Sequence, residues 1–226
     1  VTIRRDLHEL EEEGLLRRVH GGAVAVKRPP PESPVIQRMR TDRGLKEGIG
    51  AAAAQLVADG DAVFLGSGST VAYVARHLVD RKDLTVITNA LTVATELALA
   101  EGVTLVMTGG VLRPSELSLI GYIAESALED LRVDQVILGM RAISVSEGLT
   151  HDYLPEVVTD RAIIEMADRL TIVADHSKFN RVAPAFVAPV SRVTSLVTDS
   201  ETDPDVLAQL EAMGVQVVVA SQKEAQ

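Results

Sequence analysis

Phe64-Leu65-Gly66-Ser67-Gly68-Ser69-Thr70 decides how the chain reads. An apolar, β-favouring run (Ala62–Leu65) enters a Gly/Ser turn, and a helical pattern over 70–79 leaves it. Two glycines let the backbone turn tightly and come close to a ligand. Ser67, Ser69 and Thr70 add hydroxyls, and the following helix aims its free N–H groups and positive dipole end at the same spot. A phosphate fits there without a cluster of cations. The GK[ST] ending of a P-loop is absent, and the dinucleotide fingerprint G-x-G-x-x-G is not matched. The plainer reading is an ordinary strand-to-helix turn with a serine capping the helix.

The same alternation extends outward. A helix over 45–58 precedes this strand. Strand Leu84–Thr88 leads to a helix over 90–100, and strand Val103–Thr108 to a Gly-rich loop. A helix over 122–130 precedes strand Val133–Leu138, and one over 156–168 precedes strand Leu170–Ala174. Strand Thr194–Thr198, a helix over 204–213 and strand Val215–Val219 complete the pattern. Short, continuously apolar strands alternating with helices predict an α/β fold with a mostly parallel sheet flanked by helices.

In open sheets of this kind ligands bind beyond the carboxyl ends of the strands. Small or polar residues collect there: Thr88-Asn89, Thr108-Gly109-Gly110-Val111-Leu112-Arg113, Gly139-Met140-Arg141 and Asp175-His176-Ser177-Lys178. Asn89 also suits a helix cap. Lys178 and Arg113 are the candidate cations for a bound anion, with a solvated surface charge as the alternative for each. Asp152 and Glu156 suit hydrogen bonds to sugar hydroxyls, and equally the capping of a helix that starts near Pro155.

The 226 residues contain no cysteine, which excludes disulfides and thiolate sites. Five scattered histidines form no HxxxH or HxH pair, so neither a metal nor a cofactor is expected. No G-x-S-x-G nucleophile context occurs. No apolar run is long enough to span a membrane, and a cytoplasmic protein is the simplest reading. The net charge of −10 is unevenly spread. Residues 1–28 hold six cations against five anions, and the remainder 16 against 27. Phosphate polyanions would be repelled by that acidic body, so nucleic-acid contact belongs to the N-terminal piece.

In that piece Ile3, Leu7, Leu10 and Gly14 fall on one helical face. A short strand (Leu15–Val19), a Gly21-Gly22 turn and Ala23–Val26 then read as a wing. Lys27-Arg28-Pro29-Pro30-Pro31-Glu32-Ser33-Pro34 breaks regular structure. The expected organisation is a winged helix-turn-helix remnant at 1–26, a linker at 27–36 and an effector-sensing domain at 37–226.

Thr2-Ile3-Arg4-Arg5-Asp6-Leu7-x-x-Leu10-Glu11 followed by Gly14-Leu15-Leu16-Arg17-Arg18-Val19-His20-Gly21-Gly22-Ala23 resembles the signature of DeoR-type bacterial transcriptional regulators. The body matches in family order through the Ser67–Thr70 loop, Thr88-Asn89, Gly109-Gly110-x-Leu112-Arg113, Gly148-Leu149-Thr150 and Ala174-Asp175-His176-Ser177-Lys178-Phe179. The resemblance implies a sensor domain similar to ribose-5-phosphate isomerase and related sugar-phosphate enzymes. It also implies a phosphorylated sugar or polyol effector, operator DNA as partner, repression of carbohydrate genes and a homo-oligomer, dimer or tetramer. Carried over, Ser67, Gly68, Ser69 and Thr70 cradle the phosphate, and Asn89, Gly109, Gly110, Arg113 and Lys178 complete the pocket. Arg4, Arg5 and His8 would face DNA from the recognition helix, with Arg17, Arg18 and His20 on the wing.

Two departures bear on the effector. The family pattern more often has Asp at the place of Gly66, and a small or acidic residue at that of Arg141. A fixed guanidinium there would suit a more anionic or differently shaped effector. The alternative function is a sugar-phosphate isomerase or transferase on the same fold. The Gly139-Met140-Arg141-Ala142-Ile143 stretch lacks the acid such isomerases carry there, so no enzyme activity is expected. No helices precede the recognition helix in this chain, so it is expected not to hold an operator tightly, and residues 1 to about 26 are expected to be poorly ordered or rearranged.

Overall fold

A computed structural model describes residues 16–19, 22–25 and 33–221. It divides into two compact units, residues 1–33 and 34–226. In the first, strands β1 (Leu16–Val19) and β2 (Gly22–Ala25) form an antiparallel ribbon with Leu16 opposite Ala25 and Val19 opposite Gly22. The ribbon falls on the segment read as the wing. The recognition helix, with Arg4, Arg5 and His8, and His20 lie outside the described residues.

The second unit begins inside the span read as linker. Val35 and Ile36 belong to a short helix, α1 (Val35–Arg38), and Val35 is buried with its N–H bonded to the Ser115 carbonyl at 2.7 Å. The remaining helices are α2 (Arg43–Ala54), α3 (Ser69–Arg76), α4 (Leu91–Leu97), α5 (Tyr122–Glu129), α6 (Leu154–Ile164) and α7 (Pro204–Ala212).

Seven strands form one sheet: β3 (Ala62–Leu65), β4 (Leu84–Thr88), β5 (Val103–Met107), β8 (Gln135–Gly139), β11 (Leu170–Val173), β13 (Ser195–Asp199) and β14 (Gln216–Ala220). Their order is β14-β13-β11-β8-β3-β4-β5, and every pairing is parallel. The expected α/β class with a parallel sheet is thus the observed one. Side chains alternate between two buried layers, which explains why the strands read as unbroken apolar runs. Val63, Leu65, Ile137, Val173 and Val197 pack with Ile49, Val71, Val74 and Leu78 of α2, α3 and the turn after α3. Phe64, Val136, Leu138, Ile172 and Leu196 pack on the other side with Val157 and Ile163 of α6 and Leu210 of α7.

Two smaller sheets were not expected. β6 (Val111–Arg113) and β7 (Ser118–Ile120) form a ribbon, and β9 (Ala142–Ser144), β10 (Gly148–His151) and β12 (Ala185–Ala188) form a sheet ordered β12-β10-β9. Strands of three or four residues are too short to display the alternation that reveals a strand.

Helices α2 and α3 approach closely because Gly50 lacks a side chain. A Cβ there would stand 2.6 Å from the Tyr73 carbonyl carbon and 2.7 Å from its oxygen. Gly50→Ala must push two backbones apart, so it is expected to destabilise the domain by about 1–3 kcal/mol despite alanine's better helix propensity. Urea unfolding of this variant tests the contact; a stabilised variant would refute it.

Candidate functional site

The strand order marks the edge where a parallel sheet of this kind can take a ligand. From β3 the chain moves to β4 and β5 on one side, and then from β8 to β11, β13 and β14 on the other. The order reverses between β3 and β8, so the crevice lies at their carboxyl ends. Leu65 pairs with Thr88 on one side and Ile137 on the other, and Thr88 pairs with Met107. Gly66, Asn89 and Thr108 therefore follow strand ends that stand in register. Thr88 locks the edge: its hydroxyl donates to the Leu65 carbonyl at 2.6 Å and accepts from the Ala90 N–H at 3.0 Å.

The Ser67–Thr70 loop sits at this reversal. Gly68 adopts φ 120°, a conformation that L side chains avoid, and a Cβ there would meet nothing within 4 Å. The peptide thus turns beside open space. No side chain caps α3, so the capping role open to its serines is not taken up. The Ser67 hydroxyl instead donates to Glu156 Oε1 at 3.1 Å, while Ser69 and Thr70 are buried in the first turn. The first N–H groups of a helix have no partner within it, and those of α3 lie at the end of β3 where the strand order reverses.

Glu156 ties the site together. It is 1% exposed, in the first turn of α6. Its Oε1 accepts from Ser67 and, at 3.0 Å, from the Ser118 hydroxyl of β7. Its Oε2 pairs with Arg113 of β6 and faces His151 Nε2 of β10 at 3.5 Å. His151 Nδ1 accepts the Tyr153 N–H at 3.0 Å, which directs the Nε2 edge of the ring toward the carboxylate. The Arg113 guanidinium also lies over the Tyr153 ring, 4.3 Å from its centroid. One carboxylate therefore links the main sheet's loop, the β6–β7 ribbon and the β10–α6 junction. It does not cap α6, whose N-cap residue, Tyr153, makes no side-chain capping bond.

Arg141 and Asp152 form a second pair, Nε to Oδ2 at 2.9 Å. Burial acts to raise the Asp152 carboxyl, but the Arg141 hydrogen bond and charge, with His151 nearby, outweigh it and hold the group below its ordinary value. Both arginines read as cations for an anion are thus already matched by a carboxylate. Lys178 is half-buried beside Asp175. Burial raises Asp175 too, and the Lys178 charge, the Ser177 hydrogen bond and Lys46 overcome it, so its pKa is lowered.

Asn89 is buried and is not a helix cap, since Ala90 holds that place in α4. Its amide nitrogen donates to the Leu119 carbonyl at 3.2 Å, and its Oδ1 has no hydrogen-bond partner among the described residues. Such a buried acceptor is costly unless something fills it. Gly109 and Gly110 form the turn from β5 to β6, both at positive φ (72° and 123°). Arg17 and Arg18 lie on β1.

Several site residues were missed in the sequence. Lys46 is 3% exposed, donates to the Thr41 carbonyl at 2.7 Å and stands 3.7 Å from Asp175. A signal existed: Lys46 shares the apolar helical face of Ile49 and Ala53, where a charge needs a partner. Asp160, one turn beyond Glu156, is buried, and its carboxyl is pushed up to about 7 by burial, against the pull of Arg113 and with the help of Glu116. Glu116 pairs with Arg38 of α1 at 2.5 Å. Among the described residues no cluster suited to a metal occurs and no helix is long and apolar enough to cross a membrane.

Comparison with known proteins bears directly on this arrangement. Residues 42–200 match the family model of the DeoR C-terminal sensor domain, and residues 1–28 match the DeoR-like helix-turn-helix domain. The chain belongs to the DeoR family. It is 39% identical over 202 residues to the transcriptional repressor AccR of Agrobacterium fabrum, covering 89% of this chain and 78% of that protein. It is 34% identical to a putative aga operon transcriptional repressor of Escherichia coli O157:H7, covering 98% and 83%. It is 35% identical to the glycerol-3-phosphate regulon repressor of Escherichia coli K12, covering 92% and 82%. Among solved structures, ribose 5-phosphate isomerase A of Methanocaldococcus jannaschii aligns with 62% of this chain and 55% of its own at 20% identity and a TM-score of 0.46. The DeoR family assignment agrees with the motifs quoted from both ends of this chain.

Proposed function

We infer that this chain is a DNA-binding transcriptional repressor of carbohydrate metabolism, whose sensor domain binds a phosphorylated sugar or polyol. The observation that carries the effector's chemistry is the Ser67–Thr70 loop: an uncapped helix start and a left-handed glycine at the point where strand order reverses. Support for the regulatory role comes from the matched helix-turn-helix and from relatives that are named repressors, one of them of a glycerol-3-phosphate regulon. Ser67, Gly68, Ser69 and Thr70 hold the phosphate, with Lys178 as counter-charge. Asn89, Gly109, Gly110, Arg113, Arg141, Asp152 and Glu156 line the remainder. Arg4, Arg5, His8, Arg17, Arg18 and His20 contact operator DNA. The protein works in the cytoplasm as a homo-oligomer, and effector binding favours one subunit geometry over another by a few kcal/mol.

Turnover does not suit Glu156 or Asp152, and Asp160, whose carboxyl is pushed up to about 7, is buried away from solvent. A general base needs a free lone pair and a pKa near the working pH. Glu156 is engaged by Arg113 and two hydroxyls, and Asp152 is held low by Arg141. We therefore read the site as a sensor.

Lys178→Ala is the informative substitution. In the full-length protein it is expected to abolish effector-driven release of operator DNA while leaving effector-free DNA binding unchanged. Gel-shift titration with and without sugar phosphates measures both, and an unaltered effector response would remove Lys178 from the site.

A further inference from the structure

The charges around the crevice are closed in pairs, and this bears on what an effector can carry at the end away from its phosphate. Arg113 is matched by Glu156 and Arg141 by Asp152. The exception is the Asp175 cluster, where Lys46 and Lys178 both act on one carboxylate. Lys46 reaches Asp42 as well as Asp175, and the neutral donors lie in the Ser67–Thr70 loop.

Arg141 and Asp152 stand close to that loop. Gly139, two residues before Arg141, has its Cβ position 3.3 Å from the Ser67 carbonyl oxygen. His151, next to Asp152, faces Glu156, which holds the Ser67 hydroxyl. The side chains of Arg141 and Asp152 are only 16% and 27% exposed, so water screens the pair weakly. On sequence alone Arg141 suggests a more anionic effector. Its pairing points the other way.

Resting on the sugar-phosphate reading above, we propose that the Arg141–Asp152 pair makes this pocket select effectors with one anionic group and neutral hydroxyls at the other end. A second phosphate or a carboxylate beside Arg141 must either displace Asp152, stranding a half-buried charge near Glu156, or sit against it. Like charges placed together cost several kcal/mol. A hydroxyl meets neither penalty, because it can accept from a guanidinium and donate to a carboxylate while the pair stays intact. Arg141 and Asp152 are thus specificity-determining residues, and the effector class is a sugar or polyol monophosphate.

Matched compounds test this by calorimetric titration of the chain: fructose 6-phosphate against fructose 1,6-bisphosphate, and glucose 6-phosphate against 6-phosphogluconate. The wild-type protein is expected to bind the singly anionic member of a pair at least about tenfold more tightly. Asp152→Asn removes the negative charge facing Arg141 and should narrow or reverse that ratio. Arg141→Gln removes the guanidinium paired with Asp152, leaving only His151 beside that carboxylate, and should widen it, so the two variants move in opposite directions and either one suffices. Tighter binding of the doubly anionic member by the wild type overturns the selectivity but leaves the sugar-phosphate reading standing. So does an unchanged ratio in the variants. If neither compound of either pair binds the wild type, the selectivity falls, and the sugar-phosphate reading is decided by the wider panel of sugar and polyol phosphates.

Discussion

Glu156→Ala is expected to destabilise the sensor domain by about 3–5 kcal/mol, the range for breaking a buried ion pair by removing one partner. The mechanism lies in what remains. Arg113 keeps a guanidinium that is 11% exposed, without the carboxylate that pairs with it. The Ser67 and Ser118 hydroxyls lose their common acceptor. Unsatisfied buried groups bear their full desolvation cost, so the loss exceeds the net worth of the bonds. Glu156→Gln keeps an acceptor oxygen for the two serines and loses only the charge, so it should cost less. Replacing Arg113 together with Glu156 by apolar residues removes the stranded charge and should recover a large part of the loss. Urea unfolding of the three variants measures this. A Glu156→Ala protein within 1 kcal/mol of wild type would mean that the carboxylate does not hold the three sheet systems together.

Asp160→Asn should have a comparable effect, but one that depends on pH. The folded protein holds the Asp160 proton far more tightly than the unfolded chain, with a pKa of about 7 against 3.8. Its contribution to stability is therefore full below the unfolded pKa. It is lost as pH rises through the folded value, because the folded state must then ionise a buried acid or keep its proton against the solution. The total swing is on the order of 4 kcal/mol, and more than half of it falls between pH 5 and 8. An asparagine cannot ionise, so the variant escapes this loss. Relative to wild type it should gain roughly 2–3 kcal/mol of stability on going from pH 5 to pH 8, measured as paired urea midpoints. A difference that stays constant over that range would place the Asp160 titration elsewhere.

The main sheet was legible in the sequence for a physical reason. A parallel strand buried on both faces is largely apolar, and the central strands β3, β8 and β11 carry that mark most clearly. The loops at their ends were legible because tight turns and phosphate approach both call for glycine and small hydroxyl residues. The small sheets were not, since Val111–Arg113 and Ala142–Ser144 have three residues each and are set by tertiary pairing. Nor was the pairing of charges. Arg113 and Glu156 lie on different elements, β6 and α6, and no local pattern says that they meet. Arg141 and Asp152 lie closer in sequence, yet their contact depends on β9 and β10 turning back on each other. Sequence supplied the groups, and only the fold showed which were already spoken for.

A thermal-shift panel tests the central claim most directly, with sugar and polyol phosphates set beside their unphosphorylated parents. A ligand at 100 times its dissociation constant adds about 2.7 kcal/mol. For a domain of this size that is a rise in Tm of roughly 5–10 °C. The account predicts such a rise for at least one phosphate ester and none for its parent sugar or polyol. An unphosphorylated parent that stabilises the protein as much as its ester, or a full panel without any shift, would contradict it.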